Sequence, residues 1–162
     1  MYVLGVDPGL SNLGWAVIED SDPPKLIDFG LIITDKNVKE EERLSIIYRN
    51  LKEIYNKYSP IYTIIENIYF KKNIKTAIKI GEVKGIILLT AYENNSSVFE
   101  LNPSNVKLYF TGYGGSDKSN MKKMVKILYK IDINEDDTVD AIALATSFIN
   151  LKGIKDKSDI IS

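Results

Sequence analysis

The chain has 162 residues, 44% of them hydrophobic and 27% charged, with a formal net charge of −1, which fits one soluble domain with a sizeable core. It has no cysteine and no histidine, which excludes disulfides, thiolate metal sites, histidine-based triads and a histidine general base. Any metal would have to be held by oxygen, which favours Mg²⁺ or Mn²⁺ over zinc, and no apolar run approaches a membrane span or a signal peptide.

Tyr2 to Val6 reads as a buried strand ending in a carboxylate, Asp7, with a turn at Pro8-Gly9. Trp15-Ala16-Val17-Ile18 comes next, so the pair is expected to form a hairpin. Asp7 then sits at the carboxyl end of a central strand, where ligands commonly bind in sheets flanked by helices. Alone, an Asp-Pro-Gly is equally well explained as a turn cap. Asp20 to Pro24 is a turn, and Lys25 to Thr34 is a third strand completing an antiparallel meander. Asn37 and Glu40 have capping-box spacing ahead of a helix running to about Tyr58.

Ser59-Pro60 ends that helix, and Ile61 to Ile65 is a short strand running into Glu66, a second carboxylate at a strand end. Asn67-Ile68-Tyr69-Phe70 places aromatics on a loop, where nucleic-acid bases are one possible packing partner. A helix is expected from Ile74 to about Tyr92. Its glycines, Gly81 and Gly85, cost stability unless another backbone approaches there, from within the chain or from a second subunit. Val98 to Leu101 is a fifth strand. Asn102-Pro103 opens a helical stretch closed by Gly112, and Ser116 is the expected cap of the lysine-rich helix beyond.

Asn134 to Asp140 leads into Ala141 to Phe148, a last helix whose alanines allow a close approach to a sheet. Asp137 and Asp140, three apart, share one of its faces, although spacing leaves open whether Asp136 or Asp137 is the inward acid. The tail after Leu151 is polar and expected to fray. No linker or repeat divides the chain, so residues 1–162 are read as one domain.

Charge is unevenly placed. Lys71, Lys72, Lys75, Lys79 and Lys84 face a single acid, Glu82, and Lys118, Lys122, Lys123, Lys126 and Lys130 face Asp117. Asp132, Glu135, Asp136, Asp137 and Asp140 then reverse the sign. Basic stretches beside an acidic cluster suit a site that attracts a polyanion and concentrates divalent cations, although such lysines also serve as ordinary solvated helix faces. If Asp7, Glu66, Asp137 and Asp140 converge, their mutual repulsion is relieved by cations. Two such ions support phosphodiester hydrolysis.

The ordered set of motifs resembles the RuvC-type Holliday-junction resolvases over essentially the whole chain. The resemblance lies in Gly5-Val-Asp-Pro-Gly9 with Gly14, Ile64-Ile-Glu66 with Tyr69-Phe70, and Ala77 to Gly85. It continues through Asn105-Val-Lys107, Gly114 to Ser119 and Asp137-Thr-Val-Asp140-Ala-Ile-Ala. It implies an α/β ribonuclease-H-like fold, a five-stranded mixed sheet with three antiparallel and two parallel strands and helices on both faces. It also implies a cytoplasmic, Mg²⁺-dependent homodimer, with Mn²⁺ able to substitute, that nicks four-way junction DNA symmetrically in recombination and repair. By the likeness, Asp7, Glu66, Asp137 and Asp140 are catalytic metal ligands for two ions, and Lys107 and Lys118 are catalytic cations near the scissile phosphate. Tyr69, Phe70, Lys71, Lys72, Lys118 and Lys122 are the expected nucleic-acid contacts. The helix holding Gly81 and Gly85 is the expected dimer helix, and a branch-migration motor complex is a further expected partner.

Three rivals compete with this expectation. An ATPase of the actin and sugar-kinase type needs two duplicated domains where this chain holds one. A YqgF-type nuclease acting on RNA shares the opening motif but not the lysine and aromatic positions. A non-catalytic junction-binding protein would have no need of all four acids.

Overall fold

The computed structural model describes residues 1–67 and 74–161, with side chains as far as residue 153. Its sheet is built from β1 (Tyr2–Asp7), β2 (Asn12–Glu19), β3 (Lys25–Ile33), β4 (Tyr62–Glu66) and β5 (Ser97–Leu101), in the order β3-β2-β1-β4-β5. The first three strands are antiparallel, while β1–β4 and β4–β5 are parallel. The expected mixed sheet is therefore present. Its parallel pairs arise from the intervening helices α1 (Glu40–Tyr58) and α2 (Ile74–Glu93), which return the chain to the same end of the sheet before β4 and β5. Three more helices complete the fold, α3 (Pro103–Thr111), α4 (Lys118–Tyr129) and α5 (Asp136–Ile161).

β1 is apolar on both faces because it is covered on both. Leu4 and Val6 pack with Ile47, Leu51, Ile54 and Tyr55 of α1 and Val83 and Ile87 of α2. Val3 instead joins the cluster formed with Ile142, Leu144 and Ala145 of α5, Val106 and Phe110 of α3, and Val125 of α4. Each fully buried Val or Leu side chain contributes roughly 1.5–3 kcal/mol, so β1 is a rigid mount for the acid at its end. Strand alternation places Val3, Gly5 and Asp7 on the α5 side, and the same alternation in β4 places Ile64 and Glu66 there.

On that side the packing is backbone against backbone. A Cβ on Gly5 would lie 2.0 Å from the Ala141 carbonyl oxygen, and one on Gly14 would lie 2.0 Å from the Asp137 carbonyl oxygen. Gly14 is the ladder partner of Asp7. The first turns of α5 thus rest directly on the rung that carries Asp7. The loop after Asp7 is held from the opposite face. Buried Arg43 donates to Thr34 Oγ1 at 2.9 Å and Ser11 Oγ at 2.8 Å, and the Thr34 hydroxyl donates to the Leu10 carbonyl.

Several local expectations are corrected. The box between Asn37 and Glu40 does not form. Lys39 is the N-cap of α1 without a side-chain hydrogen bond, because the Asn37 amide is drawn to Asp35 Oδ1 instead. α4 is capped by Asp117, whose carboxylate accepts from the Asn120 amide. Ser116 is buried and donates to the Tyr113 carbonyl. Gly9 is not among the residues with positive φ; its need for glycine is the Asn12 carbonyl oxygen, 2.1 Å from where a Cβ would stand. The stretch after Leu151 continues as helix to Ile161, since extending an existing helix costs far less than starting one. Tyr69, Phe70, Lys71 and Lys72, expected nucleic-acid contacts, lie outside the described residues. Among the described residues no helix is long and apolar enough to cross a membrane.

Candidate active site

Parallel pairing of β1 with β4 runs through Val6 opposite Ile65, so the next step of the same register sets Asp7 beside Glu66. α5 brings Asp137 and Asp140 over the same sheet end, at the place where Gly14 admits its first turn. A cleft of about 230 Å³ results, lined by Asp7, Glu66 and Asp140, by Lys107 from α3 and Lys118 from α4, and floored by apolar groups including Met121 and Leu144. Acids from three distant stretches of chain therefore meet in one depression with two lysines at its rim.

The electrostatics reflect that convergence. Asp7 is pushed from 3.8 up to about 8, first by burial and then by the charges of Asp140, Asp137 and Glu66, with a hydrogen bond to Asp137 adding to the effect. Burial, then Asp140, raises the proton affinity of Glu66, and Lys107 opposes this. Burial also raises Asp140, opposed mainly by Lys118. The cleft carries more negative charge than its lysines offset. Among the described residues, no three carboxylates are closed into a ready-made cation cage. The donor set, carboxylate oxygen in a chain with no thiolate or imidazole, fits a hard divalent cation.

Spacing left Asp136 and Asp137 as alternatives for the inward acid. In the structure Asp137 comes near enough to Asp7 to raise its proton affinity, whereas Asp136 turns outward, 2.7 Å from Lys118 Nζ and 2.7 Å from Lys122 Nζ. Those two lysines hold the Asp136 carboxyl down at about 2. Sequence reasoning named Gly5 and Gly14 without their purpose. Their signal was available: Gly5 lies two residues before Asp7, hence on its face, and the alanines of the last helix lie opposite. The Asp136 pairing had no such signal, because it depends on where the loop before α5 turns.

Gly81 and Gly85 present open space, with nothing within 4 Å of a Cβ at either among the described residues. Among those residues, the approach from within the chain, one of two expected explanations, is not found. Around them α2 exposes Ile74, Ile78, Leu89 and Tyr92 at helical spacing.

The model of the family described as "Crossover junction endodeoxyribonuclease RuvC" matches residues 3–148. A protein of that name from Caldicellulosiruptor saccharolyticus is 42% identical over 153 residues, covering 92% of each chain. Its namesake from Brachyspira hyodysenteriae is 43% identical over 146 residues, covering 90% of this chain and 91% of its own. Among solved structures, Thermus thermophilus RuvC in complex with Holliday junction substrate superposes with a TM-score of 0.89 over 96% of both chains, at 24% identity. The yeast mitochondrial Holliday junction resolvase Ydc2 superposes with a TM-score of 0.70 over 93% of this chain and 78% of its own, at 12% identity. These two likenesses concern the fold.

Proposed function

The chain belongs to the RuvC family of crossover junction endodeoxyribonucleases, and we propose that Asp7, Glu66, Asp137 and Asp140 are its catalytic carboxylates, holding Mg²⁺ at the junction phosphate. The protein is a structure-selective nuclease that cuts four-way DNA junctions by phosphodiester hydrolysis. The observation that carries the site assignment is the convergence of Asp7, Glu66 and Asp140 with Lys107 and Lys118 in one cleft at the end of the central strand, where burial and the neighbouring carboxylates raise the proton affinity of Asp7. A carboxylate so placed binds a proton or a cation to be stable, and perturbed groups of this kind concentrate at functional sites.

When bound, divalent cations supply the activation of a water and the neutralisation of charge on the leaving oxygen. The protein's own groups do the rest. Asp7, fixed by the buried strand behind it, offers a donor that does not move with the loops. Lys107 and Lys118 stand at the rim and attract the phosphodiester into a cleft whose carboxylates would otherwise repel it. The apolar floor at Met121 and Leu144 limits water around the reacting group. Paired nicking calls for two such clefts, and a second copy docked along Ile74, Ile78, Leu89 and Tyr92 of α2 supplies them. Glycine at positions 81 and 85 lets the two helices approach closely.

The test is a nicking assay on a synthetic four-way junction, a duplex and an RNA–DNA hybrid, with and without Mg²⁺. Selective cutting of the junction with Mg²⁺, lost in Asp7→Asn while junction binding persists, is expected. Unaltered cutting by Asp7→Asn would remove Asp7 from the reacting centre, and preference for the hybrid would favour an RNA-directed nuclease.

A further inference from the structure

Chemistry at the cleft does not account for the whole of its basic rim. Lys118, Lys122 and Lys126 recur every four residues along α4, on one face and about 6 Å apart along the axis. With Lys123 they line a groove of about 460 Å³ that begins at the cleft, since Lys118 borders both. Each of the three stripe lysines is engaged by the segment that connects α4 to α5 or by the first residue of α5. Lys118 and Lys122 take the two oxygens of Asp136 at 2.7 Å each, Lys122 also donates to the Asn134 carbonyl at 2.7 Å, and Lys126 pairs with Asp132 at 2.8 Å.

A carboxylate gripped by two ammonium groups through its two oxygens has the form of a phosphodiester gripped through its two free oxygens. We propose that Asp136 is an internal stand-in for a DNA phosphate on a backbone-binding track along α4, and that an incoming strand displaces it. This rests on the reading of the cleft as a nuclease site. The exchange is easy because these ion pairs are solvent-exposed, and exposed pairs contribute little to stability. It is also selective. A lone duplex phosphate must compete with Asp136 for Lys118 and Lys122, while a junction that places a strand in the cleft meets them at high local concentration. Asp136 thereby lowers non-specific binding, most of which comes from phosphate contacts. It also keeps the Lys118 ammonium beside the cleft until substrate arrives.

Asp136 has a plainer role as an acid in the first turn of α5, where it favours the helix dipole. That role predicts a small loss of stability in D136N and no change in DNA binding, so the two accounts separate. Fluorescence anisotropy of labelled duplex and labelled four-way junction, without divalent cation, is measured between about 50 and 200 mM salt for wild type, D136N and D136N/K122Q. D136N is expected to bind duplex about three- to tenfold more tightly, and its plot of log affinity against log salt is expected to steepen by about 0.9, one phosphate's worth. Its preference for junction over duplex is expected to shrink. Adding K122Q is expected to return the slope toward wild type. Unchanged or weaker duplex binding by D136N, or a gain that survives K122Q, would overturn the proposal. A wild type that ignores four-way junctions would instead overturn the functional reading, and the duplex series would still decide the role of Asp136.

Discussion

Substituting Gly14 by alanine tests whether the acids meet because α5 lies against bare backbone. The added Cβ would stand 2.0 Å from the Asp137 carbonyl oxygen, 2.3 Å from its carbon and 2.9 Å from the Thr138 nitrogen. Ordinary carbon–oxygen contact is about 3.3 Å, so the helix must retreat by roughly 1.3 Å. All three neighbours are backbone, so no side chain can swing away. Overpacking of this kind costs about 1–3 kcal/mol, which in a domain of this size lowers Tm by roughly 3–10 °C. The larger effect falls on chemistry, since a misplacement of about 1 Å in catalytic groups costs on the order of 10²-fold in rate. Single-turnover nicking of a four-way junction, read beside a urea melt and a junction-binding curve, is the assay. About a hundredfold slower cutting with binding retained within a few-fold is expected. Gly153→Ala is the control, because a Cβ there meets nothing within 4 Å among the described residues. A folded Gly14→Ala protein that cuts within twofold of wild type would show that the close approach does not position Asp137 and Asp140.

Metal-free Asp7→Asn is expected to be more stable than metal-free wild type. The Asp7 carboxyl has a folded pKa of about 8 against 3.8 unfolded, so it costs nothing below about pH 4 and destabilises increasingly as pH rises to about 8. The linkage ceiling is about 6 kcal/mol, and structural relaxation brings the difference expected at pH 8 to about 2–4 kcal/mol; equal urea midpoints at pH 5 and pH 8 for both proteins would refute it. Millimolar Mg²⁺ is expected to raise the Tm of wild type by several degrees and that of Asp7→Asn by much less, and equal shifts would place the cation elsewhere. Lys118→Ala is expected to slow cleavage at least tenfold with Tm changed by under about 2 °C, and a normal rate would make that lysine only part of a solvated face. Arg43→Ala is expected to cost about 2–3 kcal/mol by freeing Thr34 and Ser11 from the loop after Asp7, measured by urea denaturation; a loss below about 0.5 kcal/mol would deny that role.

Much of the fold was legible beforehand because it is local. The apolar run of β1 ending in Asp7, that of β4 ending in Glu66, and the helical spacing of α1, α2 and α5 each express a periodicity that the backbone imposes on its own side chains. The caps were misread where polar residues crowd a helix start, as at Ser116 with Asp117 before α4 and at Asn37, whose backbone N–H goes to Asp35 while Lys39 takes the cap position of α1. Proximity along the chain does not say which oxygen wins.

By itself, then, the sequence determined the kind of chemistry open to this protein. With no histidine or cysteine, a metal site has to be built from oxygen, and alternation puts Asp7 and Glu66 on whichever face their strands share. Only the tertiary structure decided that this face is the one α5 covers, that Asp137 turns inward and Asp136 outward, and that Gly14 is where the helix touches down. The physical reason is that strand register and helix approach are set by contacts between segments far apart in the chain, whose sum no single stretch contains.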